Sequence, residues 1–216
     1  MPPITKSAFS NGNFDIVDVG QFLEMIESGG HEGRDILFSK MSLPQVDMKE
    51  SYWKNCNFLG CRFPNASASR THFANCFFDN CDFSNSEYSD SVFSNVIFKY
   101  CKLTGARFAG AGFNDVQFKD CLAEMAGFTE SMANNLIVDR CNLSAAQLDG
   151  ITGKNYFFTK CRLSGENLMA TLLKGIDLSE CDIQGAIFGE REVKGARVTA
   201  MQAVELAKML GVIIAD

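Results

Sequence analysis

Histidine is nearly missing from this chain of 216 residues, which has two, beside one tryptophan and four prolines. His31 and His72 belong to no nucleophile, zincin or phosphate-loop motif, so the chain is expected to be no enzyme and to hold no cofactor or metal. Long apolar runs are missing too. No stretch reaches the roughly 18 residues of a membrane span, and the N-terminus has no basic, apolar, small-residue leader, so a cytoplasmic chain without membrane contact is the expectation. An excess of positive charge is lacking, since 20 Lys and Arg face 26 Asp and Glu for a net charge of -6. That argues against direct binding of nucleic acid, which requires a basic footprint. The nine cysteines are odd in number and lack the C-x2-C knuckle of structural zinc, so they read as reduced, packed thiols.

What the chain has in abundance is phenylalanine, 19 of them, and their placement is periodic. Every fifth residue from Phe38 to Val198 gives 33 positions, of which 14 are Phe and 8 are Leu, interrupted only by Ala68, Ala123, Ala133 and Gly153 among small residues. Two residues before each of these centres lies a small-residue position, and all nine cysteines fall in it. A period of five fits neither the 3.6 of a helix nor the 2 of a strand, and it demands a solenoid with one bulky and one small residue per unit turned inward. Cys61, Cys81, Cys101, Cys121, Cys141, Cys161 and Cys181 recur every 20 residues, which predicts four units per turn and one vertical column of thiols. Alanine and glycine at the centres weaken residues 122–135 and 150–156, where either a loop or a continuing coil remains open. Charge at the small inward positions, Glu166 and Arg191, predicts local distortion.

The units CDFSN, CKLTG, ARFAG, CNLSA and IDLSE resemble those of the pentapeptide-repeat family. The resemblance implies an all-β solenoid, a right-handed quadrilateral β-helix of about eight coils over residues 36–198. Residues 1–35 then form an N-terminal extension with a short capping helix, for which Asp18 and Gln21 supply a capping box and Val19, Phe22, Leu23 and Ile26 an apolar face. Residues 199–216 form a C-terminal helix, opened by Thr199 and Gln202 and stopped by Gly211, and a short strand at Val212-Ile213-Ile214. The apolar surface of this tail exceeds what one solenoid end needs. Met201, Val204, Leu206, Leu210, Val212, Ile213 and Ile214 are therefore the candidate homodimer interface.

The tail is also similar to that of the topoisomerase-protecting pentapeptide-repeat proteins, the Qnr group and the microcin and albicidin immunity proteins among them. The similarity rests on Gln202-Ala203, Leu210-Gly211 and the β-branched run. It implies a noncatalytic partner of DNA gyrase or topoisomerase IV that protects against quinolones or related poisons. Sorting charge by solenoid side supports a partial mimic of DNA. The side centred on Met48 to Phe188 gathers Asp47, Glu50, Glu87, Asp90, Glu130, Asp149, Glu166 and Glu190 against Lys49, Arg70 and Arg107. The alternative is a scaffolding protein of the same family with an unrelated protein partner.

Overall fold

The computed structural model describes residues 14–27, 32–165, 167–209 and 211–215. Its parallel pairings advance by 20 residues: Leu37, Asn57, Phe77, Ile97, Gln117, Ile137 and Phe157 form one ladder. Tyr52, His72, Val92, Gly112, Met132 and Thr152 form another. Two further ladders of single bridges run from Ser42 to Asp182 and from Asp47 to Ile187. The chain is thus a four-sided β-solenoid of about seven turns, one fewer than expected. Counting along the chain from Phe38, the sides are called first to fourth, with centres Phe38, Leu43, Met48 and Trp53 in the first turn.

The period of five follows from the geometry of each unit. The centre points inward, its two neighbours point outward, and the residue two after the centre turns the corner with positive φ. From Phe38 to Phe188 every centre is buried except half-buried Leu43 and exposed Gly153. Two kinds of unit alternate in pairs. The fourth and first sides are extended, as in β8 (Val92–Lys99), β9 (Gly112–Lys119), β10 (Met132–Asp139) and β11 (Thr152–Thr159). The second and third sides are tight turns, such as Phe63 to Ala66, closed by a 3.2 Å N–H to O bond with Pro64 and left-handed Asn65 between. Aromatic or β-branched residues at outward positions, for instance Phe77, Ile97 and Ile137, favour the extended unit; an Asp or Glu followed two residues later by Ser favours the turn.

Two columns hold the turns in register. At the small inward position, thiols and hydroxyls donate to the carbonyl of a centre 23 residues earlier: Cys61 to Phe38 at 3.4 Å, Thr71 to Met48 at 2.8 Å, Ser86 to Phe63 at 2.7 Å. These carbonyls lie inside the rod, where an unpaired acceptor would be costly. At the corner after the fourth side, Asn75 donates to Asn55 at 2.9 Å, Asn95 to Asn75 at 2.9 Å and Asn155 to Asn135 at 3.0 Å. Asparagine suits this column because it tolerates the left-handed conformation and its amide both donates and accepts.

At the N-terminal end, β1 (Asp15–Ile16) adds a rung to the first side by pairing with β3 (Ile36–Ser39). Helix α1 (Val19–Glu27) follows; Asp18 and Gln21 cap each other's backbone N–H at 2.9 Å. Phe22 is fully buried and stacks on Trp53 with ring centres 5.4 Å apart, so the cap supplies the ring that a further turn would have provided. Gly33 is required beneath Trp53, because a Cβ there would come within 2.4 Å of the indole. The Gly29-Gly30 stop lies outside the described residues.

The two weak stretches are continuous coil, not loops. Their lost bulk is replaced from the small position: as the fourth-side centre shrinks from Phe113 to Ala133 to Gly153, the first-side small residue grows from Val116 to Leu136 to Tyr156. A cavity of about 20 Å³ lined by Ala123, Ser131 and Leu136 remains where the aromatic core gives way to an aliphatic one. Two expectations are corrected. The repeat register is broken at α2 (Glu190–Val193), a turn of helix that exposes Arg191 to solvent in place of burying a guanidinium. The short strand at Val212-Ile213-Ile214 is not formed, since those residues find no pairing partner among the described residues.

Candidate binding surfaces of the rod

The third side carries the acidic candidates, and the solenoid brings Asp47, Glu50, Glu87, Asp90, Glu130, Asp149 and Glu190 onto it. Asp47 and Glu87 stand outward just before a centre, and Asp149 just after one. Glu50, Asp90 and Glu130 occupy the left-handed corner, with φ of 58°, 58° and 56°. Glu190 opens α2, and Glu166 lies outside the described residues.

The bases of this side stack directly on its acids, a pairing that charge counts along the sequence do not reveal. Lys49 pairs with Asp47 at 3.2 Å, Arg107 with Glu87 at 2.5 Å, and the Arg70 guanidinium with Glu50. Burial would raise the Glu87 carboxyl, but the Ser89 hydroxyl and Arg107 outweigh it and hold Glu87 below its ordinary range. Asp149 accepts a hydrogen bond from Thr129 at 3.1 Å. Among the described residues no salt bridge reaches Asp90, Glu130 or Glu190. These three carboxylates, and not the whole set, give the side its negative field.

The C-terminal end is closed by α3 (Ala200–Met209), whose Thr199 and Gln202 cap each other at 2.8 and 3.2 Å. The Gln202 amide does more than cap. Its NH2 donates to the carbonyls of Leu178 at 2.9 Å and Cys181 at 2.8 Å, satisfying acceptors of the last turn that have no rung above them. Leu206 packs against the rod core, whereas Met201, Val204, Met209, Val212 and Ile214 are exposed and Ile213 is 94% exposed. The structure therefore separates the candidate interface residues: Leu206 serves its own rod, the others face outward, and Leu210 lies outside the described residues.

The thiol column is interior. All nine cysteines are free and buried, and burial pushes the Cys76 and Cys101 thiols well up, keeping them protonated. Among the described residues no group of three or more His, Cys, Asp and Glu is arranged to hold a metal ion, and no helix is long and apolar enough to cross a membrane.

One further surface is not foreshadowed by the repeat pattern. Between the turn that contains β11 and the next, the second and third sides remain paired through Arg162–Asp182 and Asn167–Ile187. The fourth and first sides do not: β11 pairs with β10 alone. The ladder bonds Tyr100 to Lys119, Asp120 to Asp139 and Arg140 to Thr159 have no successor from Lys160 to Ser179. The cause is a change of unit. Residues 172–180 adopt tight turns on all sides, with Ile176 bonded back to Leu173 and Cys181 to Leu178, both at 2.9 Å. The Asp177 carboxylate takes the Ser179 N–H at 3.0 Å and its hydroxyl at 2.6 Å. An extended wall cannot pair along its length with a turned one. The Tyr156 hydroxyl bridges the two turns by donating to the Leu172 carbonyl. A slot of about 380 Å³ opens on the first side, lined by Phe157, Phe158, Thr159, Asp177, Ser179 and Glu180. Its one signal in the sequence is Asp177-Leu178-Ser179 in a column otherwise occupied by Phe77, Ile97 and Ile137.

Known proteins carry the same repeat. A family model of the pentapeptide repeat region matches residues 71–148, and one of pentapeptide repeats in eight copies matches residues 54–85. Among solved structures, QnrB1, a plasmid-mediated fluoroquinolone resistance protein, is 17% identical over 84% of this chain and all of its own, with a TM-score of 0.33. HetL, a pentapeptide repeat protein involved in heterocyst differentiation regulation in Nostoc sp. strain PCC 7120, is 15% identical over 83% of this chain and 96% of its own, with a TM-score of 0.30. Rfr23, from the cyanobacterium Cyanothece 51142, is 10% identical over 83% of this chain and 98% of its own, with a TM-score of 0.25. Among curated protein sequences none matches the chain.

Proposed function

We propose that this chain, a pentapeptide-repeat protein, is a noncatalytic binding rod whose third side enters the basic DNA-binding groove of DNA gyrase or topoisomerase IV and protects it from quinolones or related poisons. The observation that carries this reading is the corner column Glu50, Asp90 and Glu130, which recurs every second turn, or roughly every 10 Å at the strand spacing of a sheet. A duplex presents about one phosphate charge per 1.7 Å, so the rod imitates its polarity and width more than its charge density. The C-terminal tail, similar to that of topoisomerase-protecting members, supports the same partner. It also supports a homodimer in which Met201, Val204 and Ile213 of two rods meet end to end.

The test is a supercoiling assay with purified gyrase and a fluoroquinolone, with a binding measurement beside it. Rescue of supercoiling and a complex that weakens with salt are expected; no rescue and no complex would remove the reading. Asp90→Lys with Glu130→Lys is expected to weaken the complex at least tenfold while leaving the fold intact, because both corners are exposed. One observation favours the second reading, a scaffold for an unrelated protein: three bases of the same side are already spent on its acids. Under that reading the charge-reversed variant still binds its partner.

A further inference from the structure

The slot between β11 and residues 172–180 is a site with two unfilled edges. By the register of the lower turns, the Lys160 N–H should bond to the Ser179 carbonyl and the Asp177 N–H to the Tyr156 carbonyl; neither bond is present. Backbone groups left in this way are satisfied by water or by another strand, and a short extended segment is the shape that reaches both edges. On the first side the opening is three residues wide, from Phe157 to Thr159 below and from Asp177 to Ser179 above. Phe157, 39% exposed at its rim, leaves apolar surface uncovered.

The same chain carries an extended segment without a partner. Val212-Ile213-Ile214 is β-branched throughout, three residues long and exposed, at 52%, 94% and 42%. Such residues favour strands because their side chains pack on a pleated surface. The slot lies two rungs from the C-terminal end, roughly 10 Å, and residues 211–215 span up to about 17 Å when extended. We propose that Val212-Ile213-Ile214 of a second copy of this chain inserts into the first-side slot as an additional rung. This rests on the proposed homodimer for the nearness of a second tail, and it adds an exchange of segments to the end-to-end contact. The slot is incomplete without the partner's strand, and the tail is unpaired without the slot.

Cysteine cross-linking tests it, because the native thiols are all buried. Ser179→Cys and Ile213→Cys are made in separate chains, which are mixed and oxidised with a mild thiol oxidant. A disulfide-linked species of twice the chain mass is expected from the mixture, and none when Lys102→Cys on the second side replaces Ser179→Cys. Absence of the linked species while light scattering still reports a dimer overturns the slot and leaves the dimer standing. A monomer without cross-link overturns both. A cross-link that forms only within the doubly substituted chain shows the tail in its own slot and overturns the second copy. Hydrogen exchange gives a readout that needs no substitution. The amides of Lys160 and Asp177 are expected to exchange at least tenfold faster in a chain ending at Gly211 than in the full chain, and equal rates would overturn the proposal.

Discussion

The turns built around β8 and β9 and the turn built from residues 172–191 obey the same period of five but are held together differently. In the first region five rings stack along the first side, Phe38, Phe58, Phe78, Phe98 and Phe118, at centre distances of 4.6 to 4.8 Å. Phe73, Phe93 and Phe113 do the same on the fourth side, at 5.3 and 5.4 Å. The spacing of stacked rings matches the spacing of rungs, so core and ladder reinforce each other and all four walls stay closed. In the second region the centres are Leu173, Leu178, Ile183 and Phe188, tight turns replace strands, and two walls open. The repeat therefore fixes which residues point inward, while the outward neighbours decide whether adjacent turns can pair.

Substitutions sharpen this difference, from the largest effect to the smallest. Phe98→Ala, in the middle of the ring stack, is expected to cost about 3–5 kcal/mol in urea unfolding, more than Leu178→Ala beside the open wall. Gly153→Ala is expected to cost about 2 kcal/mol, because its φ is +118° and a Cβ would come within 2.1 Å of the Ala133 carbonyl oxygen. Gly165→Ala, also at positive φ but with nothing near, should cost about 1 kcal/mol. Tyr156→Phe removes the bridge to Leu172 and is expected to cost about 1 kcal/mol and to speed exchange in residues 172–180. Asp177→Ile with Ser179→Lys copies Ile97 and Lys99 into the open wall; it should convert the turn to a strand, close the slot and add roughly 0.5 kcal/mol.

Acid should act on the closed region through Asp120. The Arg140 guanidinium, by hydrogen bond and charge, holds its carboxyl below the ordinary value. A depressed carboxyl stabilises the fold above its unfolded value of about 4, and that contribution is lost as the pH falls through the lower folded value. Thermal melts at pH 7 and pH 3 should show Arg140→Gln lowering stability at the first pH and making little difference at the second. An equal effect at both would place the stabilisation outside the ion pair.

Much of the rod is legible in the amino-acid sequence. Phe58, Phe63 and Phe73 reveal the inward centre because nothing but a five-residue unit keeps such residues in step, and Cys61 to Cys181 reveal the four-sided turn. The capping boxes at Asp18 and Thr199 are readable because they depend on neighbours three residues apart. The rest depends on contacts 20 residues distant. A count of acids marks the third side but misses that Arg70 and Arg107 stack on Glu50 and Glu87. Gly153 reads as a defect in the repeat, whereas in the fold Tyr156 supplies the missing volume. The open wall is encoded in Asp177 and Ser179, residues that look like any other polar pair until their column is aligned with Ile97 and Lys99.

Native-state hydrogen exchange on a chain ending at Gly211 tests most directly whether one repeat has two modes of packing. The amides of Tyr100, Asp120 and Arg140, paired in closed walls, are expected to exchange slowly, and those of Asn155, Lys160 and Asp177 at least a hundredfold faster. Uniform protection across both sets would show a ladder continuous through residues 172–180 and contradict the account.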